Sequence, residues 1–197
     1  MIKRMRSYRF SFLILFVLLV FASCTATESR EWVFNNFNFT YNTVADTVYT
    51  IRGNPNPAVK WVSGGNFDKD QSDQLHDRAK QQCPGIIVWG PANVAYNCHS
   101  HAWYNMGQTN LHWIDNPYQF RADSNYITST AFGAARPSSV SIGDKVDFYN
   151  SSNDRPHSAR VFSNTTFISK WGVSGLYEHT PTNVPSIYVC SQFGYYR

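Results

Sequence analysis

Four short strand candidates near the C-terminus constrain the fold more strongly than other features of the sequence. They are rich in β-branched and aromatic residues, and short polar or glycine-containing turns precede or separate them. The candidates span residues 142–149, 157–162, 165–171 and 187–196. Strands that follow one another at such close spacing predict an antiparallel β-meander.

The first 26 residues are typical of an export leader. Basic residues precede an apolar run at 10–21 that is too short for a comfortable membrane span. Phe21-Ala-Ser-Cys24 resembles a bacterial lipobox, which would make Cys24 a lipidated N-terminus, whereas cleavage after Ala26 would release the chain. We expect a protein that is secreted or anchored at the cell envelope, with membrane contact only through such a lipid.

The net charge of the chain comes from that leader. The sequence contains 17 Lys and Arg against 13 Asp and Glu, a formal charge of +4. Lys3, Arg4, Arg6 and Arg9 account for the whole excess. Because the rest of the chain has no basic surplus, there is no electrostatic reason to expect nucleic-acid binding.

The remaining residues predict an extended arm and one domain. Residues 27–60 contain loosely alternating aromatics and a strand candidate, and we assign them to the arm. Residues 61–197 are long enough to bury a core. Within them, residues 70–82 predict a polar helix, and residues 108–138 read as a long irregular excursion. The oligomeric state is left open.

Cys98 lies where an extended run gives way to a predicted helix. Asn97 is a good N-cap, and Ala102 and Met106 follow Cys98 at helical spacing. A thiol in the first turn faces unpaired N–H groups and the positive end of the helix dipole, and both favour the thiolate. The same position also suits an inert, buried cysteine.

His157 begins a strand candidate. Ala159 and Val161 lie on the same side of that strand by the two-residue period, so His157 faces the same way as core residues. Two interpretations stay open at this point, a satisfied core histidine and a general base.

Three motifs, taken in order, resemble the papain-like NlpC/P60 and CHAP superfamily. They are Asn97-Cys-His-Ser-His-Ala-Trp-Tyr104, Gly143-Asp-Lys-Val-Asp-Phe-Tyr149 and His157-Ser-Ala-Arg-Val161. The resemblance covers about residues 84–188 and is closest to exported bacterial proteins with an Asn-Cys-His-Ser-x-Ala-Trp-Tyr signature. It implies an α+β, papain-like (NlpC/P60-type) fold, in which a Cys-bearing helix packs on the antiparallel β-meander.

The resemblance also implies a cysteine nucleophile, a histidine base and an acyl-enzyme, with no cofactor. Cys98 would attack a carbonyl and His157 would carry the proton. The Cys98 backbone N–H would stabilise the oxyanion, with the Tyr96 hydroxyl as its partner. The family commonly orients the imidazole with a histidine on the neighbouring strand. The matching position here is Ser169, a departure from the family, and His179 is the alternative.

The cysteines after the leader are Cys83, Cys98 and Cys190. In an oxidising compartment an odd number leaves one thiol unpaired. Of the three pairings, a Cys83–Cys190 disulfide is the one that leaves Cys98 free to react, and we expect it on that ground.

A metal site is the competing interpretation of the histidine-rich segment. Cys98, His99, His101 and His112 are all residue types that bind transition metals. Adjacent positions on a helix point apart, however, and no second Cys-His cluster with zinc-finger spacing occurs. We therefore expect no metal.

Two functions follow from these observations. The first is an exported cysteine amidase or peptidase, with peptidoglycan peptides as the expected substrate, although some relatives act on other amides or on lipid esters. The second is a catalytically inactive exported module that binds cell-wall or host material. The departure at Ser169 supports the second, and the pairing of Cys98 with His157 supports the first.

Overall fold

The computed structural model describes residues 41–65, 67–150 and 154–197. The predicted leader, Cys24 and the first part of the arm lie outside these residues. Ten strands are described: β1 Tyr41–Tyr49, β2 Pro55–Gly64, β3 Ile87–Gly90, β4 His112–Trp113, β5 Tyr126–Ala131, β6 Lys145–Tyr149, β7 His157–Val161, β8 Phe167–Lys170, β9 Leu176–His179 and β10 Gln192–Tyr196. The helices are α1 Lys69–Gln82, α2 Cys98–Trp103, α3 Tyr118–Asp123 and a 3-10 helix at Ser186–Tyr188.

The strands form two antiparallel sheets. The larger has the order β3-β9-β8-β7-β6-β10-β5, and the smaller has the order β1-β2-β4. The β1–β2 hairpin runs from Tyr41 opposite Gly64 to Tyr49 opposite Pro55, so the predicted domain boundary at residue 60 falls inside β2. The excursion at 108–138 contains β4, α3 and β5, and its strands join different sheets.

The α+β papain-like fold class predicted from the resemblance is wrong. Most residues in regular structure lie in the strands of the two antiparallel sheets, and helix is the minor component of the described chain. The helix that Cys98 begins is only six residues long and ends at Trp103. The prediction gave that helix too much weight, because the apolar and aromatic residues that build the core come mainly from the strands.

The main core lies against the seven-stranded sheet. Val146, Phe148, Ala159 and Phe193 contribute side chains that are at most 1% exposed. This core contains side chains from β6 and from β7, the strand that His157 begins. No helix within the described residues is long and apolar enough to cross a membrane.

The predicted Cys83–Cys190 disulfide is not formed. Cys83, Cys98 and Cys190 are free, buried thiols. Cys83 and Cys190 belong to the main core, where burial raises the pKa of each thiol to about 11. They contribute to the core as small apolar side chains.

Gly175 marks the tightest backbone approach beside α1. Its φ is +156°, and a Cβ there would lie 2.7 Å from His76 Cε1 and 2.9 Å from the Tyr177 hydroxyl oxygen. His76 Nδ1 and that hydroxyl are hydrogen-bonded at 2.9 Å, so neither group can move away freely. We expect Gly175→Ala to lower the free energy of unfolding by about 2–3 kcal/mol.

Urea denaturation followed by tryptophan fluorescence measures this loss. Gly85→Ala is the matched control, because Gly85 also has a positive φ, +86°, but a Cβ there would meet nothing within 4 Å. It should cost about 1 kcal/mol, from backbone strain alone. Equal losses in the two variants would contradict the steric explanation.

Candidate active site around Cys98 and His157

The side chain of Asn97 fixes the start of α2. Its Oδ1 accepts hydrogen bonds from the backbone N–H of Ser100 at 3.0 Å and of Ile114 at 3.2 Å. Its Nδ2 donates to the carbonyl of Ile114 at 2.8 Å. Asn97 therefore caps the helix, as predicted, and also ties it to the segment that follows β4.

Contacts with β7 hold the other end of α2. Arg160 Nε donates to the carbonyl of Ala102 at 2.8 Å, and Trp103 Nε1 donates to Ser158 Oγ at 3.0 Å. The helix that begins with Cys98 is therefore attached directly to the strand that begins with His157.

The Cys98 thiol is buried and protonated at neutral pH. Its side chain is 6% exposed. Burial raises the pKa of Cys98 to about 11, although the backbone N–H groups of Ser158 and His99 act in the opposite direction. The resting cysteine is therefore a thiol that needs a base before it can act as a nucleophile.

His157 is fully buried between two aromatic rings. It stacks on Tyr188 with ring centroids 4.1 Å apart and contacts the edge of Phe148 at 4.9 Å. Neither ring nitrogen has a hydrogen-bond partner among the described residues. Burial is the main reason that the pKa of His157 lies well below its usual value, and protonation of His179, His99 or His101 would lower it further. The imidazole is therefore neutral and has a free acceptor nitrogen.

The structure brings Cys98 and His157 into one cluster but does not join them by a hydrogen bond. The backbone N–H of Ser158, the next residue after His157, favours the Cys98 thiolate. Burial raises the pKa of Tyr188, and a Cys98 thiolate would raise it further, so Tyr188 lies close to both groups. The Cys98 sulfur and the His157 imidazole therefore share Tyr188 and the start of β7 as neighbours.

The predicted third member does not orient His157. Ser169 Oγ is hydrogen-bonded to His179 Nε2 at 2.8 Å and accepts from Trp171 Nε1 at 2.9 Å. Because His179 Nδ1 lies 2.8 Å from the carbonyl of Thr180, Nδ1 carries the proton and Nε2 accepts from the serine. Ser169 and His179 thus satisfy each other, and neither holds the His157 ring.

Tyr96 packs beneath two other polar side chains. It is 1% exposed, its ring lies 5.2 Å from Lys170 Nζ, and it stacks on His101 with centroids 6.3 Å apart. Burial raises the pKa of Tyr96, and a hydrogen bond with the side chain of Asn93 opposes that rise. The hydroxyl predicted to stabilise an oxyanion is therefore engaged with Asn93.

A buried charged network, which the sequence reasoning missed, lies next to this cluster. Asp147 Oδ1 accepts from Ser158 Oγ at 2.5 Å, and Ser158 Oγ lies 2.7 Å from His99 Nδ1. Asp147 Oδ2 lies 3.1 Å from Arg121 and 3.4 Å from Arg155. The sequence feature that could have indicated this network is Asp147, the second aspartate of the segment Gly143-Asp-Lys-Val-Asp147. It lies between two core residues, Val146 and Phe148.

This network is not a catalytic triad, although it contains Ser, His and Asp. A triad places the histidine between the serine and the aspartate, whereas here Ser158 lies between Asp147 and His99. The Ser158 proton points to the carboxylate, and Ser158 Oγ also accepts from Trp103 Nε1. The arrangement fixes α2 on the sheet and leaves no activated hydroxyl.

The candidate metal ligands do not converge on one point. His99 is directed to Ser158, and His112 Nε2 lies 3.1 Å from Asp46 Oδ2 on β1. Within residues 41–65, 67–150 and 154–197, no three candidate ligands group together.

A cleft of 240 Å³ opens beside the segment that leads to Cys98. Each strand of the small sheet contributes one aromatic side chain to it, and the segment before α2 and the loop after β8 line the other side. Its lining includes Tyr41, Trp61, Trp113, Val94, Ala95 and Val173. Ala95 precedes Cys98 by three residues, but Cys98 and His157 are not among the residues that line the cleft.

The comparisons with known proteins give a family but no activity. Residues 87–196 match the model of a family described as a domain of unknown function, DUF7689. No curated protein and no solved structure matches the chain. The matched residues run from β3 to β10 and include Cys98 and His157. Because they make up more than half of the 197 residues, the chain belongs to the DUF7689 family.

Proposed function

We propose that the protein is an exported cysteine hydrolase that cleaves an amide bond, with Cys98 as the nucleophile and His157 as the base. The observation that carries this proposal is the state of His157. A fully buried imidazole whose two nitrogens have no hydrogen-bond partner among the described residues costs folding free energy, about 1–3 kcal/mol for each unsatisfied group. A functional role accounts for a cost that packing alone does not require.

The neutral states of the two groups suit general-base catalysis. The thiol keeps its proton at rest, and the imidazole has an acceptor nitrogen for it. As the Cys98 Sγ–C bond forms, the thiol proton passes to His157, and the amide C–N bond breaks as the leaving nitrogen takes that proton. Water then attacks the thioester and gives a proton to His157. The C–S bond breaks, the acid leaves, and that proton returns to the sulfur.

The motifs and the cleft support a peptidoglycan peptide as the substrate. The segments around Cys98, Gly143 and His157 resemble those of NlpC/P60 and CHAP enzymes, and the leader favours export. The cleft beside Ala95 offers aromatic side chains to the part of the substrate that does not react. In this arrangement the scissile carbonyl would lie at the start of α2.

Digestion of purified peptidoglycan tests the proposal. The wild-type protein should release soluble fragments whose masses identify the cleaved bond, and Cys98→Ser should release none. Release by both proteins would exclude Cys98 as the nucleophile, and release by neither would exclude this substrate.

His157→Phe provides a test that separates a catalytic from a structural role. Phenylalanine keeps the aromatic stacking on Tyr188 and removes two unsatisfied nitrogens, so this variant should melt at the same or a higher temperature. Its hydrolysis should be lost. A large fall in melting temperature would instead identify His157 as a structural residue.

A second function, a binding module without activity, is favoured by the burial of both groups and by the missing hydrogen bond between them. Alkylation of Cys98 by iodoacetamide at neutral pH, read by peptide mass spectrometry, separates the two functions. Labelling that slows at least about tenfold in His157→Phe supports the hydrolase. Equal, slow labelling in both proteins supports the binding module.

A further inference from the structure

Three aromatic side chains lie on one face of the small sheet, one from each strand. β1 contributes Tyr41, β2 contributes Trp61 and β4 contributes Trp113, and all three line the 240 Å³ cleft. Trp61 pairs with Thr43, which is two residues from Tyr41, and Trp113 pairs with Val59, which is two residues from Trp61. Tyr41 and Trp113 are therefore the diagonal neighbours of Trp61, about 7–8 Å away on its two sides and within reach of its ring.

Hydrogen bonds hold two of these rings in place. Trp61 Nε1 donates to the carbonyl of Gly64 at 2.8 Å, which fixes the plane of the indole. The side chain of Asn97 binds both the N–H and the carbonyl of Ile114, the residue that follows Trp113. A cleft whose walls are fixed in this way loses little freedom when a ligand binds.

The cleft is electrostatically negative. The face of an aromatic ring carries the negative part of its quadrupole, and three such rings contribute to the lining. Asp115 is exposed and adds a carboxylate at the edge of the cleft. Among the described residues that line it, none is Lys or Arg. The charge complementary to this lining is therefore that of a cation.

The remaining lining favours a cation that carries methyl groups. It is aliphatic and consists of Val59, Val94, Ala95 and Val173. A primary ammonium group brings three N–H donors that lose water, and aliphatic walls give them no acceptors. A saccharide brings several hydroxyls with the same need, and the Trp61 N–H is already bonded to Gly64. A quaternary ammonium group has no N–H to satisfy.

We propose that Tyr41, Trp61 and Trp113 form an aromatic cage that binds a quaternary ammonium group, such as that of choline. Trp61 is its central ring, and the Asp115 carboxylate attracts the cation at the edge of the cleft. The proposal goes beyond the hydrolase, which assigns the cleft only to an unreactive part of the substrate, and it does not depend on cleavage.

A titration of the wild-type protein with choline, followed by ligand-observed NMR, is the first test. Three rings and one carboxylate should give a dissociation constant of about 1 mM or lower. The uncharged analogue of choline, in which a quaternary carbon replaces the nitrogen, should bind at least about tenfold more weakly. Equal affinities would overturn the proposal, as would tighter binding of N-acetylglucosamine or no saturable binding of choline.

Substitutions locate the binding to the cage. Trp61→Leu should weaken choline binding about tenfold, and Trp61→Phe, which keeps a ring, should weaken it less. Trp89→Leu is the matched control, because Trp89 is 49% exposed on β3 and does not line the cleft. Equal weakening by Trp61→Leu and Trp89→Leu would overturn the proposal. If Trp61→Leu does not fold, Trp61→Phe and the uncharged analogue decide.

The charge of the cage is tested separately. Asp115→Asn should weaken choline binding about two- to fivefold and reduce its dependence on salt, because an exposed carboxylate acts through a screened attraction. The affinity for the uncharged analogue should stay the same in this variant. A parallel loss for both ligands would contradict the electrostatic role of Asp115.

Two further measurements separate the source of the ligand and the two proposals. Sedimentation with phosphatidylcholine vesicles, but not with phosphatidylglycerol vesicles, would identify a lipid headgroup, whereas binding of choline without vesicle binding would identify a soluble ligand. Cys98→Ser should bind choline as the wild-type protein does. Choline binding without cleavage of peptidoglycan would retain the cage and reject the hydrolase, and cleavage without choline binding would do the reverse.

Discussion

Acidification below pH 6.5 is expected to lower the free energy of unfolding steeply, because four histidines are buried in the neutral form. His99, His101, His157 and His179 are at most 5% exposed. Burial lowers the pKa of His99 to about 3, lowers those of His101 and His179 to about 4, and holds that of His157 well below 6.5.

The direction of this change in the free energy of unfolding follows from the number of protons bound by the folded and the unfolded chain. Well above pH 6.5 these histidines are neutral in both states and add little pH dependence, whereas at pH 6.5 about half of those in the unfolded chain are protonated. Between pH 6.5 and about 4 the unfolded chain binds up to four more protons than the folded chain, so stability is lost as the pH falls. Well below pH 6.5, each histidine contributes about 1.4 kcal/mol per pH unit, and the four together contribute about 5–6 kcal/mol per pH unit. Burial raises the pKa of Asp147, which acts in the opposite direction for one group.

Urea denaturation at pH 7.5, 6.5 and 5.5 measures this dependence. We expect a loss of about 1 kcal/mol over the first step and of several kcal/mol over the second. His101→Phe should reduce the slope by about 1.4 kcal/mol per pH unit, because it removes one histidine whose Nδ1 has no hydrogen-bond partner among the described residues. A flat profile down to pH 5.5 would show that these histidines take up protons in the folded state.

Local patterns predicted individual elements well. The turn at Ser163-Asn164 and the alternation after His157 located β7 and β8, and the polar helix predicted at 70–82 is α1, Lys69–Gln82. Turns, alternation and helical periodicity are each visible within a few neighbouring residues, so a single sequence is enough to find them.

The fold class could not be predicted in the same way, because it depends on pairings between distant segments. β10 pairs with β5 and β6, and β3 pairs with β9 at the edge of the large sheet. Within the excursion at 108–138, β4 joins the small sheet while β5 joins the large one. No turn or period in the sequence indicates these partners.

The candidate site was predicted in part. Cys98 begins a helix and His157 begins a strand, as the sequence indicates, and contacts between α2 and β7 bring them together. The third member was misplaced because the β7–β8 ladder contains only the pairs Arg160–Ile168 and Val161–Phe167. His157 lies beyond the end of that ladder, so Ser169 turns to His179 instead.

Removal of the Asp147 carboxylate should be the most destabilising single change in the charged network. Its side chain is fully buried and receives hydrogen bonds from Ser158 and Trp103 as well as ion pairs from Arg121 and Arg155. Asp147→Ala leaves the two guanidinium groups without a buried counter-charge, for which we expect a loss of about 3–5 kcal/mol. Asp147→Asn keeps hydrogen-bond acceptors for the serine and the indole, so its loss should be smaller.

Asp73→Ala is the matched control for this comparison. Asp73 also pairs with a basic residue, Lys69, but the two side chains are 53% and 85% exposed on α1. Its removal should leave the free energy of unfolding nearly unchanged in the same urea experiment, because water screens an exposed ion pair. Equal losses for Asp147→Ala and Asp73→Ala would mean that burial adds nothing to the first pair.

The Asp147 network also links stability to the proposed chemistry. Trp103 Nε1 lies 3.3 Å from Asp147 Oδ1 and 3.0 Å from Ser158 Oγ, so the carboxylate holds the last residue of α2 against β7. At a urea concentration where Asp147→Asn stays folded, Cys98 should therefore be alkylated with a changed pH profile, while Asp73→Ala should keep the wild-type profile. An unchanged profile in Asp147→Asn would show that α2 holds Cys98 in place without the network, through its Asn97 cap and the Arg160 contact alone.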